Sequence, residues 1–221
     1  IKNLMNHTTG IFDVITSSSF YLAVLNDPNK DWRQEELLEF VYDKEGPVLS
    51  TEFPSRYSNT NTLLLSMCID AATGISHDIL LHDRVLDPLG MTNTYYQSRE
   101  DLPENTTQGY YDLHNNQSLV NVSNLITGSG NGYGGIFSNV FDLHKFINAL
   151  MIDKTILTQA SLDLMQGEFF ASAENEYTGE ITKTGVSFLK KFSHQPYTGI
   201  GHSGKDLGYS ANLFYFEEVN M

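Results

Sequence analysis

A chain of 221 residues, 40% hydrophobic and 18% charged, can bury the core of one domain. Its formal net charge of −14, from 13 Lys+Arg against 27 Asp+Glu, argues against the basic face that nucleic acid or anionic lipid requires. Cys68 is the single cysteine, so the chain forms no internal disulfide and no zinc–thiolate site; its place in the apolar run 63–72 predicts a buried structural thiol.

Taken in order, apolar residues at positions 1, 4 and 5 have helical spacing, and Gly10 stops that segment. The serines at 17–19 and Asp27-Pro28-Asn29 read as parts of one loop. Over 34–42, Leu37, Leu38 and Val41 form one side of a short amphipathic helix, with Glu35, Glu36 and Glu39 elsewhere; Gly46-Pro47 ends it. Pro54 and Ser55 then turn the chain into Tyr57-Ser58-Asn59, where a central helix begins that runs to Ala72 and closes at Thr73-Gly74. Polar residues that open a helix are held rigidly and point off its N-terminal end. A phenol and a carboxamide two positions apart there suit proton transfer beside a hydrogen-bonded substrate.

Ser76 is the expected cap of a further helix whose inner face is Ile79, Leu80 and Val85 and whose end is Pro88-Leu89-Gly90. Positions 101–117 are polar and aperiodic, a surface excursion, and 119–126 reads as a short strand. A glycine-rich loop at 128–135 leads into a helix over 140–151, capped by Ser138 or Asn139, and another helix spans 159–165. After Glu176 the texture changes, and 185–189, 197–202 and 209–216 read as three strands at hairpin spacing. The expected organisation is one α+β domain over 1–221, helical to about 175 and sheet from about 176. No internal repeat divides it, and no apolar run approaches the length of a membrane span. Both ends read as cuts through a larger protein, with the sheet left incomplete.

Several motifs compete for the chemistry. Gly130-x-Gly132-x-x-Gly135, with Asp153 beyond it, is formally a dinucleotide fingerprint, but no βαβ repeat surrounds it, so a tight turn beside a helix is expected. His77 and His82 are five apart, which does not stack two ligands on one helical face, and His7, His114, His144 and His194 stand singly, so no metal site is expected. His202 differs, because Gly201 and Gly204 around it let a ligand or another backbone approach closely. Ser187-Phe188-Leu189-Lys190 spells the nucleophile signature of penicillin-recognising enzymes, and Lys183-Thr184-Gly185 spells another of their signatures. A Ser-x-x-Lys pair works on a helix, where one turn puts Lys beside Ser. In the strand expected here the two side chains point to opposite faces, which rejects Ser187 as nucleophile.

The chain resembles the β-lactamase-like serine hydrolases: class C β-lactamases, D-alanyl-D-alanine carboxypeptidases and related esterases. Five segments carry the resemblance in the family's order: 1–11 (IKNLMNHTTGI), 57–65 (YSNTNTLLL), 85–94 (VLDPLGMTNT), 133–146 (YGGIFSNVFDLHKF) and 201–210 (GHSGKDLGYS). The resemblance implies the β-lactamase/transpeptidase-like fold, with a helical region followed by antiparallel strands. It implies that Tyr57 is the proton-transfer partner and that Asn59 hydrogen-bonds substrate and the catalytic lysine. It implies also that the stretch His202-Ser203-Gly204 is the strand whose edge pairs with substrate, and that the Lys205 amide supplies half of an oxyanion hole. A free phenol titrates near pH 10, so Tyr57 needs a neighbouring cation to act as a base near neutrality. Histidine where class C enzymes carry lysine tilts the expectation from β-lactamase towards peptidase or esterase.

The family's nucleophilic Ser-x-x-Lys lies N-terminal to the segment resembling 1–10, so the nucleophile is expected outside this chain, which alone should be inactive. The expected function is acyl-enzyme hydrolysis of an amide or ester: a D-Ala-D-Ala peptide, a β-lactam or a small ester. No cofactor is implied, and the expected partner is a small-molecule or peptide substrate. Family analogy suggests the cell envelope, periplasmic or extracellular. The rival reading is a non-catalytic penicillin-binding-like module that holds cell-wall peptide or a protein partner; nucleotide binding at the glycine loop is a third.

Overall fold

The computed structural model describes residues 1–192, 195–219 and 221; the singleton His194 lies outside the described residues. The first helix, α1 (Lys2–Met5), is short and packs on the central helix. The expected loop at 17–19 is instead the start of α2 (Ser18–Asn26). Ser17 explains the difference: its Oγ accepts the Phe20 N–H, a helix cap whose composition also suits a turn. One turn on, Phe20 and Val24 are fully buried on the same face.

Helix α3 (Gln34–Glu39) starts where the Glu36 carboxylate accepts the Arg33 N–H at 2.9 Å. The central helix α4 (Asn59–Thr73) buries Thr60, Asn61, Leu63 and Ser66, and ends at Gly74, whose φ of +69° is the left-handed conformation that glycine reaches cheaply. Cys68 is exposed on α4, which corrects the expected buried thiol. In α5 (His77–Leu81) and the π-helical turn after it (His82–Leu86), His77 and Leu86 face inward while Ile79 is 51% exposed. The expected inner face was therefore rotated; a five-residue helix running into a π turn shifts the period on which it was read.

Two short antiparallel ladders follow: β1 (Tyr95–Tyr96) with β4 (Ile136–Phe137), and β2 (Tyr110–Tyr111) with β3 (Val120–Asn121). The expected strand over 119–126 thus shrinks to two residues. Asn139, not Ser138, caps α6 (Val140–Ile147), its Oδ1 accepting from the Phe141 and Asp142 N–H groups. A π turn (Asn148–Ile152) and α7 (Gln159–Gln166) complete the helical region.

The sheet is a five-stranded antiparallel meander in sequence order: β5 (Phe170–Glu174), β6 (Ile181–Thr184), β7 (Leu189–Lys191), β8 (Gly199–Asp206) and β9 (Tyr209–Tyr215). It begins before the expected boundary because β5 and β6 are short and poor in the alternating apolar pattern that marks a strand. Ser187 sits in the turn before β7 with φ +60°, not in a strand as expected. A turn, like a strand, gives no helical stacking of Lys190 beside Ser187. One core cluster joins Val14, Phe20, Val24, Trp32, Leu37, Leu63 and Tyr133 among the helices. A second, of Leu150, Met151, Leu162 and Phe188, takes in Ile200 and Tyr215 and so fixes β8 and β9 against the helical layer. Each fully buried Leu or Phe contributes roughly 1.5–3 kcal/mol.

Candidate active site

Three segments meet where α4 begins: 6–13, 55–61 and the middle of β8. His7 holds the first two together. Its backbone is left-handed (φ +57°) and its ring is buried. Nδ1 faces the Ser58 N–H at 3.2 Å and the Asn61 Nδ2 at 3.0 Å. Both neighbours donate, and Asn61 Oδ1 accepts separately from Thr9 Oγ1, so Nδ1 carries no proton. Burial, and then the nearby His202, lower the His7 pKa to about 4, and the ring is neutral at pH 7. Tyr57 stacks on this neutral ring with centroids 4.3 Å apart.

The Tyr57 ring lies 5.9 Å from His202 on the neighbouring strand. Its side chain is 40% exposed, yet the protein packed around it, with the Asp13 charge second, pushes its pKa up to about 12. At neutral pH the phenol keeps its proton. His202 Nδ1 donates to the Ser203 carbonyl at 2.8 Å, and burial holds its pKa below the ordinary histidine value. The neutral tautomer then carries its proton on Nδ1 and leaves Nε2 basic.

Asn59, the first residue of α4, is gripped by Asp13. Its N–H donates to Asp13 Oδ1 at 3.1 Å, and its Nδ2 donates to Oδ2 at 3.1 Å and to Oδ1 at 3.3 Å. Oδ1 also accepts the Ile15 N–H at 3.3 Å. Ser58 stands in the N-cap position but its Oγ donates to the Phe12 carbonyl, so Asp13 satisfies the helix start from a distant loop. Burial raises the Asp13 pKa, against the pull of these N–H donors.

The strand completes the wall. β7 pairs with β8 only as far as Gly201, opposite Leu189, while β9 pairs along β8 to Asp206. Past Gly201 the β7 side of β8 has no strand partner among the described residues, which leaves main-chain groups of 202–205 as an open edge. Gly201 has no room for a side chain: a Cβ there would meet the Leu213 carbonyl oxygen at 2.0 Å. Strand alternation puts His202 and Gly204 on the face of Ile200, which packs on the helical layer. Ser203 and Lys205 point to the other face, where Ser203 Oγ accepts from Lys191 Nζ at 3.0 Å. Tyr57 and His202 are thus brought together, with Asn59 two residues from Tyr57 at the helix start and its amide on Asp13, whereas the side chains of Ser203 and Lys205 point to the other face.

Sequence reasoning missed His7, Asp13 and Asn61. His7 and Asn61 lie inside stretches that carried the resemblance, and their histidine and carboxamide chemistry was the available signal. Asp13 had none, since its partner Asn59 is 46 residues away. The glycine loop is filled by protein: the Gly130 carbonyl accepts from His77 Nε2 and Arg99 Nε, and the Gly132 N–H donates to Tyr96 Oη. With antiparallel ladders around it, it is a tight turn and no phosphate cradle. Among the described residues no group of three or more His, Cys, Asp or Glu side chains is placed to hold a metal ion. Nor is any single helix long and apolar enough to cross a membrane.

A helical layer packed on an antiparallel meander, with a Tyr-x-Asn helix start facing a strand edge, is the β-lactamase/transpeptidase-like fold. The chain belongs to the Beta-lactamase family, whose model matches residues 1–221. It is 27% identical to penicillin-binding protein 4* of Bacillus subtilis (strain 168), an alignment covering 98% of this chain and 48% of that protein. The structure of D-amino acid amidase from Ochrobactrum anthropi SV3, solved with L-phenylalanine amide, superposes with a TM-score of 0.82 at 25% identity, covering 99% of this chain and 61% of that one. A penicillin-binding protein from Bacillus halodurans shares the fold, with a TM-score of 0.79 at 19% identity over 99% of this chain and 65% of that one. The chain therefore spans about half the length of its curated relative and under two thirds of these solved structures.

Proposed function

We propose that the intact protein is a serine hydrolase that cleaves an amide or ester through an acyl-enzyme, and that residues 1–221 supply one wall of its site. The observation that carries this reading is the Tyr57 phenol, stacked on a neutral His7 and set against His202 beside the open edge of β8. A substrate laid along that edge pairs with main-chain groups of 202–204, and the Lys205 N–H helps stabilise the oxyanion as the nucleophile adds to the carbonyl. Tyr57 passes a proton between the nucleophile and the leaving group once a cation beside it lowers its pKa from about 12. Asn59 hydrogen-bonds at the same centre. The nucleophile comes from outside 1–221, because the one Ser-x-x-Lys in the sequence begins in a turn.

His202, held neutral, offers no fixed positive charge for a substrate carboxylate, which favours peptides, amides and esters over β-lactams. The likeness to a D-amino acid amidase supports an amide of a D-amino acid, and the likeness to a penicillin-binding protein supports action at the cell envelope. The test exposes the full-length gene product to fluorescent penicillin, a fluorophosphonate and D-phenylalanine amide. The expected result is hydrolysis of the amide and a covalent label on a peptide outside 1–221. Label on Ser187 would overturn the assignment of the nucleophile. A full-length protein that binds cell-wall peptide but neither labels nor hydrolyses would establish the non-catalytic module instead.

A further inference from the structure

Resting on the hydrolase reading above, we propose that Asp13 is a positioning residue that fixes which end of the Asn59 carboxamide faces the site, so that Asn59 presents its carbonyl oxygen there. An ionised carboxylate has no hydrogen to give, so the end of the amide turned towards Asp13 must be the NH2. Both carboxylate oxygens take part, at 3.1 Å and 3.3 Å from Nδ2. The carboxylate is itself pinned, because Oδ1 also accepts the main-chain N–H groups of Asn59 and Ile15. Those two donors belong to the start of α4 and to the 3-10 turn Val14–Thr16, so the carboxylate cannot swing without breaking both. No ion pair to a cation involves Asp13 among the described residues, and no lysine or arginine therefore competes for its oxygens. The carboxamide is planar, so with its NH2 held by Asp13 its Oδ1 is turned the other way. The group that Asn59 Oδ1 meets in the reaction is consequently an N–H donor, an ammonium or an amide N–H.

The test uses the full-length protein and whichever reaction the wild type shows, amide hydrolysis or penicillin labelling. Asp13→Asn keeps an oxygen for the two main-chain donors but adds an NH2 that can turn the Asn59 amide round. It should lower the rate about 10- to 100-fold with its melting temperature within a few degrees of wild type. Asn59→Asp alone sets two carboxylates together and should be the least active. Combining it with Asp13→Asn restores both the hydrogen bond and an acceptor facing the site, so the double variant should exceed Asn59→Asp at least about 10-fold. If Asp13 merely caps the helix, Asp13→Asn keeps wild-type rates; that result, or a double variant no better than Asn59→Asp, overturns the proposal while leaving the hydrolase reading in place. An inactive wild type instead removes the hydrolase reading and this proposal with it.

Discussion

His7 and His77 are both buried histidines, but their surroundings give them opposite hydrogen-bonding roles. His7 Nδ1 faces two donors, the Ser58 N–H and the Asn61 amide, so it accepts, and the ring, kept neutral by burial, serves as a flat platform under Tyr57. His77 has acceptors on both nitrogens, the Asp70 carboxylate at Nδ1 and the Gly130 carbonyl at Nε2, each 3.1 Å away. A ring set between two acceptors is a cross-tie between segments, not a platform. The first arrangement leaves a reachable phenol beside a strand edge; the second ties α4 and α5 to the glycine loop. Burial alone does not mark a functional histidine. The partners it is given decide what it does.

The comparison breaks first at Tyr57. Replacing it with Phe in the full-length protein keeps the stack on His7 and removes the hydroxyl proposed to carry the proton. Turnover should fall about 100- to 10,000-fold with the melting temperature nearly unchanged. A loss under tenfold would move proton transfer to another residue.

His77→Leu probes the other side. It strips the donors from the Gly130 carbonyl and from one face of Asp70, and should cost about 2–4 kcal/mol in urea unfolding. The Tyr57 wall should be unaffected in the molecules that remain folded. A variant as stable as wild type would show that the glycine loop is held without His77.

The His7 contrast can be sharpened with pH. Its folded pKa of about 4 lies below the ordinary 6.5, so the unfolded chain binds this proton first. Stability is therefore lost as pH falls from 6.5 towards 4, by about 2 kcal/mol at pH 4.5. His7→Asn, a residue that tolerates the left-handed backbone and does not titrate, should remove that part of the slope in urea titrations at pH 7 and 4.5. Equal slopes in both proteins would contradict a neutral His7. The smallest effect is expected at Cys68, where exposure on α4 predicts that Cys68→Ser changes stability by less than about 0.5 kcal/mol.

Much of the site was legible because its residues announce themselves locally. Tyr57 and Asn59 open an apolar helix after a turn, and His202 stands among glycines in a strand. The structure brings these two stretches, separated by most of the chain, to adjacent rings. Other features depended on information that no local window contains. Serines at 17–19 suit a turn and a helix cap equally, and only the burial of Phe20 and Val24 against Trp32 and Leu37 selects the helix. The apolar run of α4 has two faces, and sequence could not say which of them Cys68 would share.

The order of helices then strands, the acidic surface charge, and the residue types at the helix start and the strand edge were determined by the sequence alone. They follow from periodicity, composition and side-chain chemistry, which are properties of short windows. The tertiary structure decided the hydrogen-bond partners of the buried polar groups. It placed Asp13 under Asn59, set Tyr57 on a histidine kept neutral by burial, and, among the described residues, left the β7 side of β8 without a strand partner past Gly201. Hydrogen-bond partners, desolvation and strand pairing arise between segments distant in sequence, and they exist only once the chain has folded.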